Sequence, residues 1–164
     1  MDEKTAENAT EALNTESNEE TEKYLIFTVL EKQYALPSVI ISEVAVLEKV
    51  FPLPLVPGYM KGIINRYSVP YALIDLSFLL LKDASDGGKI IILKEEVDRL
   101  AFLIDDVTDI ADIPPGKLMD TEQDDNTISA SVHAFFEWNG NHVFCLDAGD
   151  LIGRIKQDFE QKDT

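Results

Sequence analysis

Few residues in this chain have side chains that could react or coordinate. His133, His142 and Cys145 lie close together near its end. Two imidazoles and a thiolate could ligate zinc, but a structural zinc site wants a fourth ligand at a characteristic spacing, and the chain has a single cysteine. Cys145 stands between Phe144 and Leu146, a setting that suits a small buried hydrophobe better than an activated nucleophile. Asp105, Asp106, Asp109 and Asp112 could hold calcium, yet the spacing, glycine and terminal glutamate of an EF-hand are missing, and a solvated acidic rim is expected. Gly87-Gly88 belongs to no GxGxxG run and precedes no Lys-Ser/Thr pair, so it reads as a loop tip and not a phosphate cradle. Glu43 is a lone carboxylate flanked by Ile41 and Val44, with no second acid or histidine near it in sequence. A small β-barrel hydrolase or isomerase would need that second group. The inventory therefore predicts no enzyme, no metal and no cofactor.

Composition narrows the class further. The chain has 164 residues, 45% of them hydrophobic, enough for one domain with a real core. Its formal charge of −17 repels phosphate backbones and anionic lipid surfaces, so nucleic acid is not an expected partner and proteins are. An oligonucleotide-binding barrel fits the strand-rich pattern but not the charge. No apolar run approaches the ~20 residues of a membrane helix, so no membrane insertion is expected. One cysteine, with no apolar leader at the amino terminus, points to a reducing cytoplasmic setting.

The elements that must position these residues are short and β-like. Residues 1–22 carry eight acids and one lysine, with Leu13 the only large apolar side chain after Met1, and are expected to be a disordered acidic tail. The ordered domain is expected over 23–159, with residues 160–164 as a flexible end. Tyr24–Val29 and Tyr34–Leu36 read as strands joined by a hairpin at Glu31–Gln33. Pro37-Ser38 opens a short helical turn that leads into a strand near Val44. Pro52, Pro54, Pro57 and Gly58 break the chain, yet Phe51, Leu53, Leu55 and Val56 between them mark a loop that packs down or forms a contact surface. Gly62–Asn65 and Ser68–Leu76 read as strands about a tight turn, and Lys82–Gly88 as a loop. Lys89–Lys94 and Val97–Ile104 are paired strands turned by Glu95-Glu96, and Val107–Ile113 follows. Asp120–Asn126 is a polar loop. Ile128–Trp138 and His142–Asp147 form a hairpin across Asn139-Gly140, whose residues tolerate positive φ. Ala148–Phe159 suits a terminal helix with Leu151, Ile152 and Ile155 on one face. No βαβ rhythm appears, so a parallel sheet is not expected, and small antiparallel barrels suit two strand groups either side of Lys82–Gly88.

These segments, taken in order, resemble the CheW family of chemotaxis coupling proteins. The resemblance rests on FTVLEKQYALP, IISEV, PLPLVPGYMKGIIN, LIDL, KIIILKEEVDRLAFLIDDVTDI and VFCLDAGDLI, and covers about residues 23 to 156. It implies a mainly β fold of two five-stranded, SH3-like antiparallel barrels packed side by side, with short helices and a C-terminal helix. It also implies a non-catalytic adaptor that joins chemoreceptor cytoplasmic tips to the regulatory domain of a CheA-type histidine kinase. One departure stands out. The family's Asn-Leu-Arg-Gly turn is here Asn65-Arg66-Tyr67-Ser68, so the arginine comes one position early. The family's arginine pairs with a glutamate that maps to Glu43. If Arg66 does not do that work, the chain is an auxiliary coupler of another two-component pathway that engages only one of the two partners. The expected protein-binding residues are Ile41, Glu43, Val44, Gly62, Asn65, Arg66 and Tyr67 on the first barrel. Phe135 and Phe136 are the candidates on the second, although aromatic residues there also suit core packing.

Overall fold

A computed structural model of the chain describes residues 21–121 and 131–162, with side chains to residue 160. Eleven strands and two α-helices make up most of it. The strands are β1 (Glu22–Val29), β2 (Lys32–Pro37), β3 (Ile41–Val46), β4 (Met60–Arg66), β5 (Val69–Asp75), β6 (Lys89–Leu93), β7 (Leu100–Ile104), β8 (Asp106–Ile113), β9 (Met119–Asp120), β10 (Val132–Trp138) and β11 (Asn141–Leu146). The helices are α1 (Leu76–Leu81) and α2 (Ala148–Lys162). Single 3₁₀ turns fall at Ser38–Ile40 and Pro115–Lys117.

The strands form two sheets that differ from the expected pair in four ways. Sheet one has six strands in the order β8-β1-β2-β11-β10-β9, and sheet two has five in the order β3-β6-β7-β5-β4. Neither ladder closes into a barrel, and each contains one parallel pair, β2 with β11 and β5 with β7. The two strand groups of the sequence are not the two sheets either. Sheet two reaches across the Lys82–Gly88 loop to take β6 and β7, while sheet one joins the first two strands to the last four.

The parallel pair in sheet two depends on an element the sequence pattern hid. α1 is six residues, LSFLLL, too short and too uniformly apolar to show a helical period. Asp75 starts it: its buried carboxylate accepts from the backbone N–H of Ser77 at 3.0 Å and from the Ser77 hydroxyl. Lys82, at φ 58, ends it in the left-handed conformation.

Both faces of the central strands are covered, which is why β6 (KIIIL) and β7 (LAFLI) read as continuous apolar runs. Leu25, Phe27, Leu36, Ile91, Leu93, Phe102 and Ile104 belong to one core shared by the two sheets, with Leu151 and Ile155 of α2. The alternate residues serve cores private to each sheet. In sheet one these are Ile26, Ala35, Phe136, Val143 and Cys145, and in sheet two Ile64, Leu73, Ile90, Ile92 and Leu103. α2 runs to Lys162, past its expected end at Phe159, and Tyr59 donates to Asp158 at 2.6 Å. The expected acidic tail, apart from Thr21 and Glu22, lies outside the described residues, as do Asp163, Thr164 and most of the Asp120–Asn126 loop.

Candidate protein-interaction site

The expected first-barrel residues gather where the two ends of sheet two meet. β3 and β4 are its outer strands, four steps apart in the hydrogen-bonded order. In a flat sheet they would be separated by about 19 Å. Instead Arg66 at the end of β4 reaches Glu43 on β3, with Nε to Oε1 at 2.7 Å and Nη2 to Oε2 at 3.1 Å. This two-point contact holds the Glu43 carboxyl below its ordinary range and raises the guanidinium. The guanidinium also lies over the Tyr67 ring, 4.9 Å from its centroid.

A second contact spans the same gap. Beyond β3 the chain returns along β4, and Phe51 and Ile63 exchange two backbone hydrogen bonds of 2.8 Å. Gly62 makes this approach possible. Its φ is +143, and a Cβ there would stand 2.3 Å from the Phe51 carbonyl oxygen. Gly62 is itself buried, so its part is to let backbones meet and not to touch a partner.

The turn after β4 keeps two-residue hairpin geometry without the usual residues. Tyr67 and Ser68 have φ of 51 and 65, the pattern of a type I′ turn, and Tyr67 is 81% exposed. Asn65 is exposed next to it, and Ile41 is half-buried.

Val44 is exposed, and its register identifies the surface to which it belongs. It pairs with Ile91, whose side chain is in the core shared by the sheets. Cross-strand partners point to one face, so Val44 and Val46 continue that core outward along an edge strand. From sheet one, Ile110 on the edge strand β8 pairs with Leu25 and does the same. Lys89 and Asp106 form an ion pair that ties these two margins together. The result is an apolar seam, with Val44 at 38%, Val46 at 65% and Ile110 at 56% exposure. Val46 and Ile110 were not among the expected site residues. Ile110 sits between Asp109 and Ala111 in a run read as an acidic rim.

The second-barrel candidates divide. Phe136 is 1% exposed in the private core of sheet one, with its ring 5.8 Å from that of Tyr24, so it is not a contact residue. Strand alternation turns Phe135 to the other face, where it is half-buried against Phe144 and His142.

The residues considered for chemistry are not brought together. His142 pairs across the hairpin with Glu137, four positions along β10 from His133, and Cys145 is buried opposite Ala134. Burial pushes the Cys145 thiol up to about 12. The described residues contain no group of three or more His, Cys, Asp or Glu side chains placed to hold a metal. The aspartates do not form one solvated rim. Asp105 accepts from the Leu30 N–H at 2.7 Å, Asp106 pairs with Lys89, and Asp109 accepts from the Trp138 indole at 3.0 Å.

The described residues form a mainly β fold of two packed sheets with a closing helix. Residues 23–156 match the CheW-like domain, and the chain belongs to that family, as a non-enzymatic adaptor of chemotaxis signalling. The fold is similar to that of the scaffolding protein TtCheW from Thermoanaerobacter tengcongensis in its crystal structure. The TM-score is 0.70 at 18% identity, over 79% of this chain and 86% of that one. The chain matches no curated protein sequence. No described helix is long and apolar enough to cross a membrane.

Proposed function

We propose that this adaptor couples the cytoplasmic tips of chemoreceptors to the regulatory domain of a CheA-type histidine kinase, recruited to receptor arrays on the cytoplasmic side of the membrane. Its work is mechanical. It holds two partners in fixed relation, and the kinase performs the chemistry. The observation that carries the reading is the Arg66–Glu43 contact, which fixes the margin of sheet two beside the exposed Val44. An edge strand with exposed valines, pinned by an ion pair, is a preorganised surface for an apolar partner face. Ile41 and Val44 give that edge its apolar face, Glu43, Asn65, Arg66 and Tyr67 border it where the ends of sheet two meet, and Phe135 offers a weaker contact on sheet one.

The test is capture of both partners by Glu43→Arg, which removes the pair and places two cations together where the ends of sheet two meet. We expect a folded protein that retains receptor or kinase several-fold less well. Equal capture of both partners would show that this edge is not the binding surface.

The turn favours a second reading. Tyr67-Ser68 stands where the family has Arg-Gly, and Tyr67 is exposed on strained backbone. An auxiliary coupler of another two-component pathway, which keeps the kinase contact and has lost the receptor contact, accounts for that replacement. Capture of the kinase without the receptor would favour it.

A further inference from the structure

Leu55 is the most exposed large apolar residue described, at 92%, and its backbone is left-handed, with φ 59. Leucine gains nothing from either condition. The solvent disfavours the side chain, and the backbone region favours glycine or asparagine. Phe51 and Leu53 in the same loop are 42% and 43% exposed, and Pro52 and Pro54 hold the loop between them. A run of exposed apolar side chains on strained backbone marks a contact surface better than a tolerated accident. Beside it, Pro52 forms one wall of a cleft of about 420 Å³ whose other apolar walls are Leu47, Val50, Leu73 and Leu103.

We propose that the Phe51–Leu55 loop and this cleft form a second docking surface, for a folded protein that offers an apolar face with a basic rim. Charge identifies the occupant. The cations near the loop are engaged, Lys49 over the Phe51 ring at 4.9 Å and Lys61 with Asp75 at 3.6 Å. Asp86, which lines this cleft, and Glu48, which lines a further cleft with Phe51, are exposed acids. A formal charge of −17 opposes a second copy of the chain and an anionic membrane alike. The proposal rests on the coupling function above for its probe, the regulatory domain of a CheA-type kinase from the same organism.

Leu55→Asn separates the alternatives, because asparagine suits the backbone. Thermal unfolding should move up by a few degrees while affinity for the kinase domain falls by at least about tenfold. Binding by the unsubstituted protein should weaken as salt rises. A variant that gains stability and binds equally well overturns the proposal, leaving Leu55 as tolerated strain. Loss of self-association on sedimentation, with kinase binding unchanged, also overturns it in favour of a second copy. If the unsubstituted protein binds no kinase domain, the coupling reading fails first and this inference with it.

Discussion

Arg66 and Glu43 stand on the two outer strands of a five-stranded sheet, yet they meet at 2.7 and 3.1 Å. The ladder leaves the sheet open, and this side-chain pair spans the opening together with the Phe51–Ile63 bridge. Sheet one uses the same device. Trp138 on β10 donates to Asp109 on β8 at 3.0 Å, across four steps of strand order. Each sheet thus curls about its private core and is fastened by a side-chain contact, which in sheet two the backbone bridge reinforces.

The pair at sheet two gives a pH dependence with a definite sign. Glu43 has its folded pKa depressed below the ordinary 4.5 by the hydrogen bonds from Arg66. The unfolded chain therefore takes up its proton first as pH falls, and the stabilisation is present above 4.5 and lost below it. Acid unfolding of Glu43→Gln should begin from a lower baseline and change less between pH 5 and 3 than that of the unsubstituted protein, as followed by circular dichroism. Exchange of the two charges, Glu43→Arg with Arg66→Glu, should recover part of what either single change loses.

Gly62→Ala tests the backbone bridge. The added methyl would collide with the Phe51 carbonyl, and the φ of +143 is unsuited to any L side chain. Urea unfolding should report a loss of more than about 1 kcal/mol. A neutral result would mean that β4 and the Phe51 segment can separate at no cost.

Trp138 is the only tryptophan, so its fluorescence reports on the fastening of sheet one. Asp109→Ala leaves the indole N–H without its acceptor and should cost about 1 kcal/mol. The emission should also shift. An unchanged spectrum and an unchanged melt would show that sheet one does not depend on this contact.

Cys145 should be inert in the native protein. Its thiol is buried and raised to about 12 from 9.0, so an exposed-thiol reagent should react only at the rate of unfolding. Because the folded pKa lies above the unfolded one, this group's contribution is complete below pH 9 and declines as pH rises from there toward 12. Rapid labelling at neutral pH would contradict the burial.

Local signals in the sequence carried the strands and not their partners. Asn139-Gly140 marked one hairpin, with φ of 50 and 79 as that pair allows. Two other two-residue turns, Leu30-Glu31 and Tyr67-Ser68, have the same left-handed pattern with residues that do not announce it. Leu30 is held by the Asp105 carboxylate from 75 residues away, which no local reading can see. The parallel pairs were missed for a related reason: β2 meets β11 only because the second and last strands of the chain lie together, more than a hundred residues apart in sequence. Glu43 was legible as a charge that needed a partner. Val46 and Ile110 were not legible as surface, because exposure at a sheet margin depends on where the facing sheet ends. Phe135 and Phe136 show the limit most plainly. Adjacent and chemically identical, they differ only in the face that strand register gives them.

The most direct test of the coupling function is calorimetric titration of the purified protein into the regulatory domain of a CheA-type kinase from the same organism, at several temperatures. Saturable binding with a negative heat-capacity change, weakened in Glu43→Arg, is the predicted result. Absence of binding, with the protein shown to be folded, would mean that the chain keeps the CheW-like fold without the coupling role.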